Sequence, residues 1–368
     1  MKFKGEAVLH GVFDLGGTLD LVKARAALGA MLVEETIATT RAQPEYANFA
    51  RPLPLDLSAL GLELRAEDDT PLAVHARLYE AGAIALMLRF RAEEDTLAAF
   101  ARYQQLDAFV RGERKRRVEL FRIIVNAVKQ LLSDAYEDAF DVDIDPEKYV
   151  SYCLTEAPGG AAALRRDGRA GVAALITAEN RPEKLSAQQI EEVTRIAFSY
   201  YDDDLAVLHW DAALVIEPNA AYEDLLYVIE VANLQLLMLR KYDRYLDIRL
   251  ERGYADFERL HRRLPLLYGR QRDMVRELAE VRMDMAKTTD ELENTAKFFG
   301  DWYVARVYMG MAQRLHLGDY EKSVDEKLET LNTLYQSVLS ETQTRQNLVL
   351  EWAIVILILL EVVMAFVR

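Results

Sequence analysis

Four groups of residues in this 368-residue chain carry side chains that could do chemistry. The first is Val12-Phe13-Asp14-Leu15-Gly16-Gly17-Thr18-Leu19-Asp20. It places an aspartate at the end of an alternating run, before a glycine turn and a threonine positioned to cap a helix. The second is Asp202-Asp203-Asp204, whose oxygens suit a hard divalent cation. Three consecutive carboxylates rarely converge on one ion, however, and an acidic turn is ordinarily solvated. The third is the five histidines, His10, His75, His209, His261 and His316, which show no metal-ligand spacing. The fourth is a set of basic patches: Arg111 with Arg114, Lys115, Arg116 and Arg117; Arg165, Arg166 and Arg169; and Arg259, Arg262 and Arg263 with Arg270 and Arg272. Arg114, Lys115, Arg116 and Arg117 are the candidate contacts to phosphates, of RNA or of an anionic headgroup. A basic run among acidic neighbours also serves as a solvated, salt-bridged face. No catalytic residue, cofactor ligand or metal ligand is assigned from these patterns.

The bulk numbers narrow the function classes. A hydrophobic fraction of 51% is ample for a sizeable core, and the net charge of −15 argues against nucleic-acid binding through the whole surface. A single cysteine, Cys153, leaves no disulfide framework and no cysteine-based zinc site. The N-terminal residues show neither an apolar signal core nor an Arg/Ser-rich leader, which leads to the expectation of a cytosol-facing body.

The elements that must position these residues read as an α+β protein: a mixed α/β head over 1–218, a helical hairpin or coiled-coil stalk over 219–347, and a C-terminal transmembrane helix over 348–367. Lys4–Asp14 reads as a strand, with a helix from Leu19 to about Thr39. Leu72–Tyr79 and Ala83–Phe90 flank Glu80-Ala81-Gly82 as a hairpin. A helix is expected from Glu93 to Tyr136, strands over Tyr149–Thr155, Gly171–Thr177 and Leu205–Ile216, and a helix capped by Ser186. His209 and Trp210 fall inside the last of those strands. After Pro218 apolar residues recur at helical spacing (Leu225, Ile229, Leu236, Leu239, Leu246), and Val324, Leu328, Leu331, Tyr335 and Val338 follow a heptad rhythm. Leu348–Val367 is apolar except for Glu351 and Glu361, and as a helix it is about 30 Å long, enough to span a bilayer. Glu351 and Trp352 would sit at the membrane entrance. Glu361 would need a partner helix, which points to a homo-oligomer with Leu328, Leu331, Tyr335 and Val338 as further contacts.

Two resemblances add to this reading. Phe298-Phe299 with Trp302, Leu331-Asn332, Leu350-Glu351-Trp352-Ala353-Ile354 and Glu361 resemble the C-terminal signature of the required-for-meiotic-nuclear-division family. Tyr79-Glu80-Ala81-Gly82-Ala83-Ile84 is similar to that family's strand pair, and Tyr200–Leu205 to its acidic lead-in. The resemblance implies a membrane-anchored oligomer of the bacterial inner membrane, or of the mitochondrial inner membrane, without established catalytic residues. The Asp14 stretch looks like the first motif of haloacid-dehalogenase-type phosphatases. That likeness implies Asp14 as nucleophile, with Lys184 and Asp202-Asp203-Asp204 in downstream roles, but Gly16 stands where the acid/base belongs. The same stretch also resembles the phosphate loop of sugar kinases. The expectation is a non-enzymatic, oligomeric scaffold whose partners are a lipid bilayer and other copies of itself. The alternatives are a tether for ribosomes or RNA, or another protein, and a degenerate phosphatase. No small-molecule substrate is evident.

Overall fold

Alternation in the first strand sets up both layers of the sheet. β1 (Phe3–Asp14) turns Ala7, Leu9 and Phe13 to one face and Glu6, Val8, His10, Val12 and Asp14 to the other. A computed structural model describes residues 2–33, 52–67, 72, 74–105, 107–139, 142–262, 283 and 302–367. After β1 come β2 (Gly17–Leu19), α1 (Leu21–Leu28), β3 (Leu53–Asp56), β4 (Leu64–Arg65), β5 (Val74–Tyr79), β6 (Ala83–Glu94), β7 (Ala108–Val110), β8 (Glu113–Lys115) and α2 (Arg117–Leu131). Next are β9 (Tyr136–Ala139), β10 (Glu147–Glu156), α3 (Gly160–Arg166), α4 (Arg169–Ile176), α5 (Ala187–Val193), β11 (Ala197–Phe198), β12 (Leu205–Leu208) and β13 (Ala212–Ile216). Three helices close the chain: α6 (Glu223–Arg262), α7 (Trp302–Arg314) and α8 (Leu317–Val367).

The fold is α+β. Eight strands form one sheet in the order β11-β12-β13-β10-β1-β6-β5-β3, antiparallel throughout except for the parallel pair β10 and β13. The face bearing Ala7, Leu9 and Phe13 packs on Phe121, Ile124 and Val128 of α2 and on Val172, Leu175 and Ile176 of α4, a wholly apolar core. The opposite face carries the polar residues of β1 and meets α6.

Several expected elements differ. Asp20, not Thr18, caps α1, accepting from the amides of Val22 and Lys23 at 2.8 and 3.1 Å. That helix ends at Leu28, well short of the expected Thr39, because Gly29 takes φ 38° and stops it. The loop at Pro44 lies outside the described residues. The expected helix from Glu93 to Tyr136 is broken by the β7–β8 hairpin, because Arg111 and Gly112 both adopt positive φ, at 50° and 81°. Gly171–Thr177 falls on α4, not a strand. The run is short and apolar, so its period does not distinguish helix from strand, and its alanines favour the helix. Leu205–Ile216 is two antiparallel strands, with His209 and Trp210 in the turn between them.

The chain divides into two compact units. The first holds Met1–Lys241 and Thr289–Asp319, so it extends past residue 218 to include the first half of α6, and it includes α7. The second holds Tyr242–Thr288 and Tyr320–Arg368. In it Lys327 bridges Asp243 and Asp247 at 2.7 and 2.6 Å. Further along, a Cβ added at Gly253 would lie 2.8 Å from Leu334, so the helices approach closely there. Residue numbers rise together on α6 and α8, so the two helices run in the same direction rather than as a hairpin. The heptad residues Val324, Leu328, Leu331 and Tyr335 are buried in the chain itself. The side chain of Val338 lies outside the described residues.

Among the described residues no helix is long and apolar enough to cross a membrane. This overturns the transmembrane, tail-anchored reading of Leu348–Val367, and with it the placement in a bacterial or mitochondrial inner membrane. The apolar side chains form the end of a 51-residue helix, and two glutamates interrupt them. Between Glu351 and Glu361 only the nine residues Trp352–Leu360 follow one another without a charge. That is about 14 Å of helix against a hydrocarbon layer of about 30 Å.

The β5–β6 turn offers a direct test of the sheet. Gly82 has φ +76°, and an added Cβ would lie 1.5 Å from the carbonyl oxygen of Gly17. Gly82→Ala is expected to destabilise the protein by more than about 1 kcal/mol, read as a lower denaturation midpoint. An unchanged midpoint would contradict the close approach.

Candidate functional site

The chemistry-bearing residues of the first unit collect between the polar face of the sheet and the first half of α6. The helix presents a stripe at alternating four- and three-residue steps: Glu223, Tyr227, Glu230, Leu234, Leu237 and Lys241. Charge on that stripe meets charge on the strands. At one end Arg89 of β6 makes paired hydrogen bonds to Glu223 at 2.7 and 2.5 Å and reaches Glu6 of β1 at 3.3 Å. The Tyr222 hydroxyl also donates to Glu6, at 3.1 Å. Two turns on, Glu230 accepts from Arg77 at 2.7 Å and from the Tyr79 hydroxyl at 2.6 Å, all three residues being buried. The Arg77 guanidinium also lies 5.1 Å over the Tyr227 ring. At the far end Lys241, fully buried, donates to Asp14 at 2.6 Å. Arg240 pairs with Glu147 of β10.

Between these pairs sits His10. Its Nε2 hydrogen-bonds the Ser151 hydroxyl at 3.0 Å, and Nδ1 has no partner among the described residues. Burial, helped by the charges of Arg89, Arg77 and Arg117, pushes its pKa down to about 3. Burial likewise pushes up the Tyr79 hydroxyl, reinforced by Glu230, and the Cys153 thiol, which removes that cysteine as a nucleophile. The layer is thus rich in catalytic residue types, but its charged members are paired with one another, and Glu6, Arg77, Glu230 and Lys241 are buried. A cleft of about 560 Å³ lies elsewhere, lined by Lys2, Lys4, Thr155 and Pro158 among others. Its two lysines are matched by Glu93 and Glu156 at 3.2 and 3.1 Å.

The residues singled out in the sequence are scattered. Asp14 lies at the end of a strand with antiparallel neighbours on both sides, and the lysine that faces it is Lys241, while Lys184 sits exposed on a short turn. Asp204 is buried and accepts the amides of Tyr200 and Tyr201 at 2.8 and 3.0 Å, holding a loop, whereas Asp202 and Asp203 are exposed. No group of acidic, histidine and cysteine residues able to hold a metal ion occurs among the described residues. Arg114 is paired with Asp107 and Glu67, at 2.8 and 2.9 Å, and Lys115 with Glu113 at 2.9 Å. Arg116 precedes α2, and burial lowers the pKa of Arg117. Arg165 bonds Ser199, and Arg169 bonds Glu191 and Thr194. Arg263, Arg270, Arg272, Phe298, Phe299 and the side chains of Arg259, His261, Arg262 and Glu361 lie outside the described residues. Glu351 and Trp352 are exposed on α8. Sequence reasoning missed Glu230, Lys241, Arg77 and Arg89. The available signal was the charges at positions 223, 230 and 241, which share a stripe with apolar Leu234 and Leu237.

The family match falls on the first unit. Residues 4–223 match the family model described as "Uncharacterized protein MJ0711, N-terminal domain". A relative from Methanocaldococcus jannaschii, "Uncharacterized protein MJ0711", is 25% identical over 251 residues, covering 68% of this chain and 75% of the relative. No solved structure matches. These matches overturn the resemblance to the required-for-meiotic-nuclear-division family and its bacterial setting, since the relative is archaeal. That resemblance rested on short apolar motifs, which many amphipathic helices share.

Two measurements test the layer. Glu230→Ala takes the carboxylate from a buried guanidinium and a buried hydroxyl and is expected to cost about 3–5 kcal/mol, whereas Arg77→Met with Glu230→Leu restores most of the loss. Equal losses in the single and double variants in denaturant titrations would contradict this. His10 is neutral in the folded protein, so the unfolded chain takes up a proton as pH falls below its ordinary value of 6.5. The stability associated with neutral His10 is therefore present above pH 6.5 and is lost as pH falls from there toward 3. His10→Gln is expected to flatten the pH dependence of stability in that window.

Proposed function

The chain belongs to the family of the MJ0711 N-terminal domain, and from that premise we propose that it works as a non-enzymatic scaffold. The observation that supports this best is the closed state of the charged layer. Glu6, Asp14, Arg77, Arg89, Glu147, Glu223, Glu230, Arg240 and Lys241 are each engaged in an ion pair within the chain. An active site keeps its acid, base or nucleophile within reach of a substrate. Here the same residue types hold a helix to a sheet.

The two competing readings draw less support. A phosphatase using Asp14 needs that carboxylate open for in-line attack, and the side chain is 7% exposed and paired with Lys241. A tether for ribosomes or RNA needs free cations, and Arg114, Lys115 and Arg169 already have acidic partners.

The discriminating experiment replaces both members of a pair, so that no charge is left buried alone. Asp14→Leu with Lys241→Met is expected to leave the folded head near wild-type stability, with no aryl-phosphate hydrolysis in either protein. Hydrolysis by the wild type that disappears in the double variant would overturn the scaffold reading in favour of catalysis by Asp14.

A further inference from the structure

The end of α8 presents apolar surface on every side. Trp352, Ile354, Val355, Ile356, Leu357, Ile358, Leu359, Leu360, Val362, Val363 and Met364 are each 45–66% exposed. Successive helix positions are about 100° apart, so the four consecutive residues Val355–Ile358 point in all directions around the axis. The heptad seam further back is already filled inside the second unit by Val324, Leu328, Leu331 and Tyr335. In the register set by Gly253 and Leu334, the described end of α6 at Arg262 falls level with about residue 343 of α8. The apolar end therefore extends beyond the described part of its neighbour.

We propose that this segment, Trp352–Met364, is a self-association site at which copies of this chain bundle their terminal helices. The proposal rests on the scaffold reading and names its partner. Its area is sufficient: the eleven side chains leave roughly 1,000 Å² in water, above the ~800 Å² that one partner contributes to a standard interface. Monomers seldom leave so large an apolar patch uncovered. The shape of the patch selects the occupant. A groove on an unrelated protein would cover one side of the helix and leave the others wet. Identical helices cover one another from several sides and close by rotational symmetry. Trp352–Leu360 carries no charge, and Glu361 is the single charged residue of the segment.

The test is the mass of the full chain by light scattering in detergent-free buffer. A wild-type mass of at least twice the 42.0 kDa chain is expected, falling to 42.0 kDa in Leu357→Glu with Leu360→Glu. Both substitutions lie on exposed positions, so the thermal midpoint of the head is expected to stay at the wild-type value, separating lost association from lost folding. A monomeric wild type, a double variant that keeps the wild-type mass, or a wild type that floats as a monomer with phosphatidylglycerol vesicles would overturn the proposal. A monomeric chain in which Asp14→Leu with Lys241→Met leaves hydrolysis absent would remove self-association alone and leave the scaffold reading intact.

Discussion

A row of ion pairs between one helix and one sheet governs this structure. Placing Glu6, Arg77, Glu230 and Lys241 inside the protein removes them from water, which costs several kcal/mol for each charge unless a partner and further hydrogen bonds compensate. Compensation is dense here. Glu230 has a guanidinium and a hydroxyl, and Glu6 has a guanidinium and a hydroxyl from different elements. Such a layer adds less stability than an apolar one of equal volume. Its effect is on register, because a slip of one helical turn would set Arg77 opposite Leu234 or Tyr227 in place of Glu230. The helix is thereby held at a single position along β1, β5, β6 and β10.

The other face of the sheet follows ordinary rules. Leu9, Phe13, Leu86 and Leu88 pack on α2 and α4, and burial of this apolar surface supplies the main stabilisation. The two faces therefore divide the work: the apolar side drives folding, and the charged side specifies where α6 lies.

What the sequence disclosed follows the range of the interactions involved. β1 and the β5–β6 hairpin were legible because alternation and the Gly82 turn are local. The helical character after Pro218 was legible for the same reason. The partners of the charged stripe were not, because Arg77 and Glu230 are 153 residues apart and Asp14 and Lys241 are 227 apart. Read alone, Asp14 before Gly16-Gly17-Thr18 suggested a nucleophile. Opposite Lys241 it is half of a clamp. The C-terminal segment misled for a different reason. Hydropathy weighs apolar content, and it gave too little weight to Glu351 and Glu361, which cut the run to nine residues.

Hydrogen exchange along α6 tests most directly the claim that buried ion pairs fix this helix to the sheet. Amides from Leu226 to Lys241 should exchange only through global unfolding, with protection that falls together across the segment when Glu230 is replaced by alanine. Exchange of that segment by local opening, at rates indifferent to Glu230, would contradict the account.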